Sequence, residues 1–335
     1  MTSRELCRRA IEFRKPERLP LSYGSCGQLD LVGVGYAPPS DWQPTRPGED
    51  EWGAIWEHTD IPNLGQMKEH PIKEWSDLDG YRFPDPNPDS RYDPIEKMLA
   101  EPSLADKYVV AVATPVVFTL WERYYSLRGF DQGLMDFFMY PREAHDLLDR
   151  VLDFHVGIMA NLKRRFHGRL DAFLVSDDWG TQTNTLLPVP VWREFFKNRY
   201  QRLCQAIHDA GMHALLHSDG RINDLLDDLI EAGFDGFNLH APTVVGITEV
   251  GLRYAGKTAF LPCIDIQNTF VRGTVEDVRN EARLLLEYWG TPDGGIIPIE
   301  YGHEAVGAPF ENVVAACQAF QELGLAHYGK GLPGR

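Results

Sequence analysis

From Lys107 onward, short apolar runs rich in β-branched residues alternate with longer amphipathic segments. Near-continuous apolar strands that alternate with helices are typical of a parallel sheet covered by helices. Glycines stand where such helices would end, at Gly211, Gly233 and Gly290. The runs are YVVAVATPVV (108–117), LDAFLVSDDW (170–179), MHALLHSD (212–219), FDGFNLH (234–240), TAFLPCID (258–265) and GGIIPIE (294–300), and the clearest amphipathic segments are 141–166, 190–211 and 274–290.

The number of apolar runs favours a closed barrel over an open sheet. LPLSYGS (19–25) is a further short run, which gives seven of the eight strands that a (β/α)8 barrel needs. No G-x-G-x-x-G motif follows a run, which argues against dinucleotide binding. We therefore predict an α/β fold, a single (β/α)8 TIM-type barrel domain over 1–335, with 107–335 as its main series of βα units.

The first hundred residues differ in character from the rest. The spacing of apolar residues predicts a helix within 1–19, with Thr2 or Ser3 as its N-cap. Residues 36–103 are rich in proline, but they include EWGAIWEHTD, whose alternation is typical of a hairpin strand. Tryptophans 52, 56 and 75 make this region too apolar for a free linker, so we expect an ordered extension or lid. It could close the barrel mouth or form a dimer interface.

Composition excludes several classes of protein. Lys and Arg number 33 against 49 Asp and Glu, a net charge of −16, which argues against a nucleic-acid partner. No apolar stretch approaches the roughly 20 residues of a membrane-spanning helix, and the charged N-terminus does not resemble a signal peptide. The five cysteines form no C-x-x-C pair, which argues against a disulfide framework or a zinc ribbon. We expect a reduced, cytoplasmic protein without a membrane partner.

The active site of a (β/α)8 barrel lies at the carboxyl ends of its strands. Acidic residues and histidines are concentrated at these ends: Asp177, Asp178, His217, Asp219, His240, Asp265, Glu300 and, just beyond, His303. Because side chains alternate along a strand, His217 and Asp219 point the same way. Other interpretations remain open, since Asp178 and Asp219 could cap helices, His240 could bond to a loop, and Cys263 could be a small core residue.

With these residues in place, the sequence resembles the uroporphyrinogen decarboxylase superfamily, especially its corrinoid-linked and coenzyme-M-type methyltransferases. True decarboxylases carry an arginine-rich R-Q-A-G-R segment that binds the carboxylates of the tetrapyrrole, whereas the matching SYGSCGQLDLVGVGYAPPSDW contains no arginine. The resemblance therefore argues against haem biosynthesis. It rests on SRELCRRAIEFRKPERLPL, VSDDWGTQTNTLLPVPVWREFFKNRYQRLCQAIHDAG, HALLHSDGRINDLLDDLIEAGFDGFNLHAP and GGIIPIEYGHEAVGAPFENVVAACQAFQELG.

In the methyltransferase branch, an H-x-C pair and a later cysteine bind zinc. Here the pair reads His217-Ser218-Asp219, and the later segment IEYGHEA offers Glu300 or His303 instead of cysteine. We predict a divalent metal site formed by His217, Asp219 and His303. Such nitrogen and oxygen ligands suit zinc but also Fe(II) or Mn.

The resemblance implies an enzyme that moves a methyl group between a corrinoid, held on a separate carrier protein, and a small-molecule donor or acceptor. An alternative is a metal-free carboxy-lyase that uses Asp177, Asp178 and Asp265, and another is a corrinoid- or small-molecule-binding protein without turnover. Relatives commonly form homodimers, so a homodimer is expected. The predicted catalytic residues are Asp177, Asp178, His217 and Asp265, and the predicted substrate contacts are Trp179, Gln182, His240, Glu300 and Tyr301.

Overall fold

A six-stranded parallel sheet forms the centre of the protein. The computed structural model describes residues 1–57 and 65–328. The sheet order is β10-β9-β8-β7-β6-β3, and every neighbouring pair in it is parallel. The strands of the described residues are β1 (Ser22–Tyr23), β2 (Gln28–Leu29), β3 (Leu31–Tyr36), β4 (Ile55–Glu57), β5 (Gln66–Glu69), β6 (Tyr108–Ala113), β7 (Ala172–Ser176), β8 (His213–His217), β9 (Gly236–Asn238) and β10 (Ala259–Phe260).

Further contacts extend this sheet at both edges. Beyond β10, Phe260 forms a parallel bridge with Ile296, and Ile299 forms another with Ser22. The Ser22 hydroxyl then donates a hydrogen bond of 2.7 Å to the carbonyl of Leu31 in β3. The α/β class and the parallel sheet are confirmed. Closure into a complete eight-stranded barrel stays a prediction.

Helices cover the sheet, and several follow the predicted segments closely. Segment 141–166 is one helix, segment 274–290 is helical over Val275–Trp289, and segment 190–211 is divided by a π-helical turn at Arg193–Lys197. The α-helices are α1 (Ser3–Ile11), α2 (Asp93–Leu99), α3 (Trp121–Arg128), α4 (Phe130–Met139), α5 (Pro141–Phe166), α6 (Val189–Trp192), α7 (Asn198–Asp209), α8 (Leu226–Ala232), α9 (Pro242–Val245), α10 (Ile247–Tyr254), α11 (Thr269–Arg272), α12 (Val275–Trp289), α13 (His303–Val306) and α14 (Phe310–Tyr328).

The N-terminal region differs from the prediction in two places. The first helix is shorter than predicted, since it ends at Ile11. Thr2, one of the two predicted N-caps, does cap it, because its side chain accepts from the backbone N–H of Glu5. Strand β3 was not predicted, because its two glycines at positions 33 and 35 interrupt the apolar run LVGVGY. Within the described ranges, no helix is long and apolar enough to cross a lipid bilayer.

The proline-rich extension packs into the main core. Trp56 lies in a hairpin formed by antiparallel β4 and β5, as the alternation predicts, although the last three residues of EWGAIWEHTD lie outside the described residues. The side chains of Trp52, Ile72 and Ile95 are buried within the same hydrophobic cluster as the helices around the sheet. Nη1 of Arg128, in α3, donates to the carbonyls of Ile72 and Lys73. A role for 36–103 as a lid or dimer interface stays a prediction.

The burial of Trp52 predicts that the extension contributes to global stability. Its ring lies 4.9 Å from that of Phe154 and 4.7 Å below the Arg123 guanidinium. We expect Trp52→Ala to lower the free energy of unfolding by about 3–5 kcal/mol, because it removes a large side chain from a packed core. Leu252, which is 79% exposed, provides the control. Leu252→Ala should change the free energy of unfolding by less than about 0.5 kcal/mol. If both substitutions changed the free energy of unfolding equally in urea denaturation, the extension would be only loosely attached to the core.

Candidate metal centre at the ends of three strands

Three neighbouring strands bring the central residues of the site together. Ser176, His217 and Asn238 are the last residues of β7, β8 and β9, and they are paired in register across the sheet. The residues that follow them therefore leave the sheet at one level. As a result, Asp178, Asp219 and His240 meet near His217, as expected for the carboxyl ends of parallel strands.

His217, Asp219 and His240 form a compact group of potential metal ligands. Their nearest ligand atoms all lie within 4.8 Å of one another, and the two imidazole centroids are 4.3 Å apart. Oδ1 of Asp219 is buried, and no hydrogen-bond partner lies near it in the part of the chain that the structure describes. A buried carboxylate oxygen without a partner is costly, and a cation is one way to compensate it.

The two histidines are oriented for coordination. Nδ1 of His217 lies 3.1 Å from the carbonyl oxygen of Asn238. Since a carbonyl only accepts, Nδ1 carries a proton, and in the neutral ring this leaves the lone pair of Nε2 free, the arrangement that metal-binding histidines commonly use. The pKa of His240 is well below its usual value, because the ring is buried and lies beside His217. His240 is therefore neutral, as a ligand must be.

Asp178 lies beside this group and hydrogen-bonds to it. Its Oδ1 accepts from the backbone N–H of Asp219 at 2.8 Å and lies 3.6 Å from Nε2 of His217. Burial raises the pKa of Asp219 to about 6; the charges of Asp178 and Asp265 act in the same direction, whereas His217 and the backbone N–H of His240 oppose the shift. The side chain of Asp178 is 43% exposed, so it is the carboxylate of the site that a substrate can reach.

The donor set fits a divalent transition metal. Two imidazoles and one carboxylate are ligands that zinc accepts, and the same combination with open positions occurs in non-haem iron sites. The orphaned Oδ1 of Asp219 and the free Nε2 of His217 are the observations that support this fit. The chemistry of the residues present therefore agrees with a metal, although the thiolates of the H-x-C pattern are absent from the group.

The structure places His240, and not His303, with His217 and Asp219. His303 begins the short helix α13, and its Nδ1 lies 3.2 Å from the carbonyl of Ala308, just after that helix. His303 therefore lies outside this group, and its predicted role as third ligand stays a prediction. Tyr301 does border the group, since its ring lies 4.9 Å from that of His240 in an edge-on arrangement. Glu300 instead accepts hydrogen bonds from the backbone N–H and the hydroxyl of Ser25.

Asp177 and Trp179 point into the core, whereas they were predicted as a catalytic residue and a substrate contact. Asp177 is completely buried, and its carboxylate accepts from the backbone N–H groups of Leu120 and Glu122 and from the Tyr200 hydroxyl. Burial raises its pKa to about 7, and these hydrogen bonds limit the shift. Trp179 is also fully buried and donates from Nε1 to Tyr200. Both residues therefore hold α3 and α7 against the sheet, out of reach of a substrate.

Asp265 is likewise occupied by the protein's own backbone. It is completely buried and accepts from the N–H groups of Gln267 and Asn268 and from both the N–H and the hydroxyl of Thr243. A carboxylate with this many donors caps the loop, and its predicted catalytic role stays a prediction. Gln182 is exposed and donates to Oε1 of Gln267 at 2.8 Å, and its contact with a substrate stays a prediction.

Glu122 is a site-bordering residue that the sequence did not reveal. It lies in the first turn of α3, is 5% exposed, and accepts from the Ser176 hydroxyl at the end of β7. Its pKa is well above the usual value because of burial and the nearby charges of Asp178 and Asp177. In the segment FTLWERYY it is indistinguishable from an ordinary helical glutamate, so no sequence signal was available.

A contact between two glycines fixes the loops that carry Asp178 and Asp219. The backbone N–H of Gly180 donates to the carbonyl of Asp219, and that of Arg221 donates to the carbonyl of Thr181. A Cβ on Gly220, whose φ is +78°, would lie 2.2 Å from the carbonyl oxygen of Gly180. Only glycine allows this approach, so the two backbones themselves set the spacing of the carboxylates.

Comparison with known proteins identifies the family. A family model described as "Uroporphyrinogen decarboxylase (URO-D)" matches residues 62–323. The chain belongs to this family. Two curated relatives of this URO-D chain, both from Methanosarcina barkeri, are described as "Methylcobamide:CoM methyltransferase MtaA". Each is 24% identical over 193 residues, 57% of this chain and 53% of the relative, so the match spans about half the length of these proteins.

A solved structure shows the same fold along nearly the whole chain. The structure titled "methyltransferase from Methanosarcina mazei" superimposes on this URO-D protein with a TM-score of 0.70 and 15% sequence identity. The superposition covers 96% of this chain and 99% of the other. At this identity, the likeness establishes a shared architecture. The relatives found by sequence and the solved structure are thus all described as methyltransferases.

The glycine contact leads to a prediction about stability. We expect Gly220→Ala to lower the free energy of unfolding by about 2–5 kcal/mol, since it combines a left-handed backbone with a clash against Gly180. Gly168 is the matched control, because its φ is +73° but no atom would lie within 4 Å of its Cβ. Gly168→Ala should cost only about 1–2 kcal/mol. If both variants lost the same free energy of unfolding in chemical denaturation, the two loops would be able to separate without loss of stability.

Proposed function

We propose that this protein is a methyltransferase-like enzyme that moves a methyl group between a corrinoid and a small-molecule donor or acceptor. The corrinoid would be held on a separate carrier protein. The observation that carries the proposal is the group formed by His217, Asp219 and His240, at the end of the sheet where a substrate would bind. The kinship with methyltransferases of the URO-D superfamily supports it.

His217, Asp219 and His240 would hold the metal, with zinc, Fe(II) and Mn all compatible with the ligand atoms. When bound, the metal acts as a Lewis acid that polarises the small substrate and lowers the pKa of its S–H or O–H group. The bond from His217 Nδ1 to the Asn238 carbonyl would leave Nε2 as the atom that holds the metal. The ring of Tyr301, beside His240, would limit the space for the substrate.

Asp178 would act as the acid/base of the reaction. Its carboxylate is half-exposed at the group and is held by the backbone N–H of Asp219. As an acceptor receives the methyl group, Asp178 would take the proton from its S–H or O–H; in the reverse direction it would return that proton to the leaving sulfur or oxygen. Methylation of the acceptor thus leaves a proton on Asp178, which its exposed carboxylate would release to solvent, and the reverse direction would take one proton up from solvent.

The metal-free lyase has less support. That hypothesis requires Asp177, Asp178 and Asp265 to stabilise a protonated intermediate together. The carboxylates of Asp177 and Asp265 are both buried and already accept several hydrogen bonds from the protein. Asp178 alone would remain for the chemistry, whereas the lyase hypothesis requires three carboxylates.

Metal content is the direct test of the ligand set. We expect about one divalent metal ion per chain in untagged protein, measured by plasma mass spectrometry. His217→Ala, Asp219→Ala and His240→Ala should each lose most of it, because each removes one of three ligands. His303→Ala is the matched control and should retain the metal, since that histidine faces the Ala308 carbonyl.

Two results would contradict this assignment of ligands. Loss of metal in His303→Ala with retention in His240→Ala would support the ligand set predicted from the sequence, in which His303 is the third ligand. Absence of metal from every variant and from the wild type, after growth with added zinc, iron and manganese, would remove metal assistance from the proposal. Circular dichroism of each variant would separate lost ligation from lost folding.

Methyl transfer tests the reaction itself. We expect the enzyme to demethylate methylcob(III)alamin in the presence of a thiol or to methylate cob(I)alamin from a methoxylated compound, followed by the corrinoid absorbance. Asp178→Asn should reduce kcat about 10²–10⁴-fold, because the proton acceptor is lost, while its metal content stays unchanged. A folded, metal-loaded enzyme that binds the corrinoid but transfers no methyl group in any combination would favour a binding protein without turnover.

A further inference from the structure

Helix α4 carries an exposed apolar face on the surface of the protein. Its other face packs into the core through Gly133, Asp136 and Phe137, and the ring of Phe137 lies 4.8 Å from that of Phe195. Exposed large apolar side chains that are scattered singly are normal, but a group of them marks an interaction site. Of the eleven that are exposed among the described residues, five belong to α4 and the residue that follows it: Phe130, Met135, Phe138, Met139 and Tyr140.

The exposed area of this face matches the apolar part of a dimer interface. Phe138 and Met139 are each 61% exposed, and the other three side chains are 38–46% exposed. Since a side chain of this size offers roughly 200 Å², the five together expose on the order of 500 Å². Homodimer interfaces bury about 800 Å² of each copy and are about 65% apolar, which corresponds to about 500 Å² of apolar area.

Charge is nearly absent from this face, although the chain as a whole is strongly acidic. The net charge of the protein is −16, so two copies repel each other over most of their surfaces. Within α4, which the structure describes completely, the charged residues are Asp131 and Asp136, and Asp136 is buried in an ion pair with Arg128. The face of α4 is therefore a place where two copies of this acidic protein can approach each other closely.

Two unpaired charges of opposite sign lie at the two ends of this face. Asp131 is in the first turn of α4, and Arg142 is the second residue of α5, directly beyond the carboxyl end of α4. Both are exposed, and neither forms an ion pair within residues 1–57 and 65–328. The dipole of α5 favours Glu143 in the same turn but disfavours a cation. Helix α5 itself therefore gives no electrostatic reason for Arg142.

An antiparallel pair of α4 helices, one from each of two copies, accounts for both the apolar face and these charges. Asp131, Met135 and Phe138 share one side of α4, because they are three and four residues apart. A two-fold axis beside Met135 and Phe138 places each of them against the other in the second copy. Asp131 lies four residues before Met135, and Arg142 lies four residues after Phe138. The same axis therefore brings Asp131 toward the partner's Arg142.

We infer that this protein forms a two-fold dimer through the exposed face of α4, with a second copy of the chain as its partner. Met135, Phe138 and Met139 form the apolar centre of the interface, and two pairs of Asp131 with Arg142 lie at its polar rim. The dimer does not depend on the proposed methyl transfer, because the three proposed metal ligands and Asp178 all lie outside α4.

Sedimentation velocity of the full chain over a dilution series tests this dimer. We expect a dissociation constant of about 1 µM or lower, since interfaces of this size bind with micromolar affinity or better. Phe138→Glu places two carboxylates in the apolar centre and should raise the dissociation constant at least about 30-fold, as the loss of a hot spot does. Leu252→Glu is the matched control, because Leu252 is 79% exposed on α10, and this variant should dimerise like wild type.

Charge reversal tests the orientation of the two helices. Asp131→Arg and Arg142→Asp each create two like-charge contacts by symmetry, and each should raise the dissociation constant about 2–10-fold. The double variant restores opposite charges and should return to within about twofold of the wild type.

Three results would overturn the inference: a monomer at every concentration, a dimer that Phe138→Glu leaves unchanged, or a double charge-reversal variant that dimerises no more tightly than the single variants. Because Asp131, Phe138 and Arg142 are all exposed, each variant should fold like the wild type, which circular dichroism checks. A monomeric wild type would leave the proposed metal centre and methyl transfer unaffected.

Discussion

The register of β7, β8 and β9 is the constraint on which the site depends. Because Ser176, His217 and Asn238 are paired in one row, the first residues beyond the strands emerge at the same height. Their side chains then meet without any long loop to position them. The backbone contact between Gly180 and Gly220 keeps the two acidic loops at this spacing, so precision at the site comes from main chain rather than from flexible side chains.

Several other buried charges in the protein are compensated either by an ion pair or by backbone hydrogen-bond donors. Arg128 and Asp136 form a fully buried ion pair with two nitrogen–oxygen contacts, and Arg128 also donates to the extension and lies over Trp75. Asp177 and Asp265 are saturated by backbone donors. Among the described residues, Oδ1 of Asp219 belongs to a wider set of buried polar atoms without partners, which also includes Nε of Arg199 and Oδ1 of Asn223. What distinguishes Asp219 is that it lies in a group of potential metal ligands with His217 and His240.

The fold and the site are most predictable from the sequence where a periodic pattern and a local spacing coincide. The alternation of apolar runs and amphipathic segments predicted the parallel sheet, and the i, i+2 spacing placed His217 and Asp219 on one side. The same alternation could have separated Asp178 from Asp177 and Trp179, which lie on the opposite side and enter the core. The third ligand could not be derived in this way. His240 and His303 both follow apolar runs. Only the path of the chain after each run shows that His240 turns toward His217, whereas His303 bonds to Ala308 just after α13.

The replacement of thiolates by a second histidine and an aspartate has a chemical consequence. A thiolate-rich site donates more charge to its metal and makes it a weaker Lewis acid, whereas two neutral imidazoles and one carboxylate leave more positive charge on the ion. An ion of that kind acts more strongly on a substrate that is hard to activate, such as an oxygen-bound group, than on a thiol that already loses its proton readily. Under the proposed function, a metal held by His217, Asp219 and His240 would therefore favour oxygen-containing substrates.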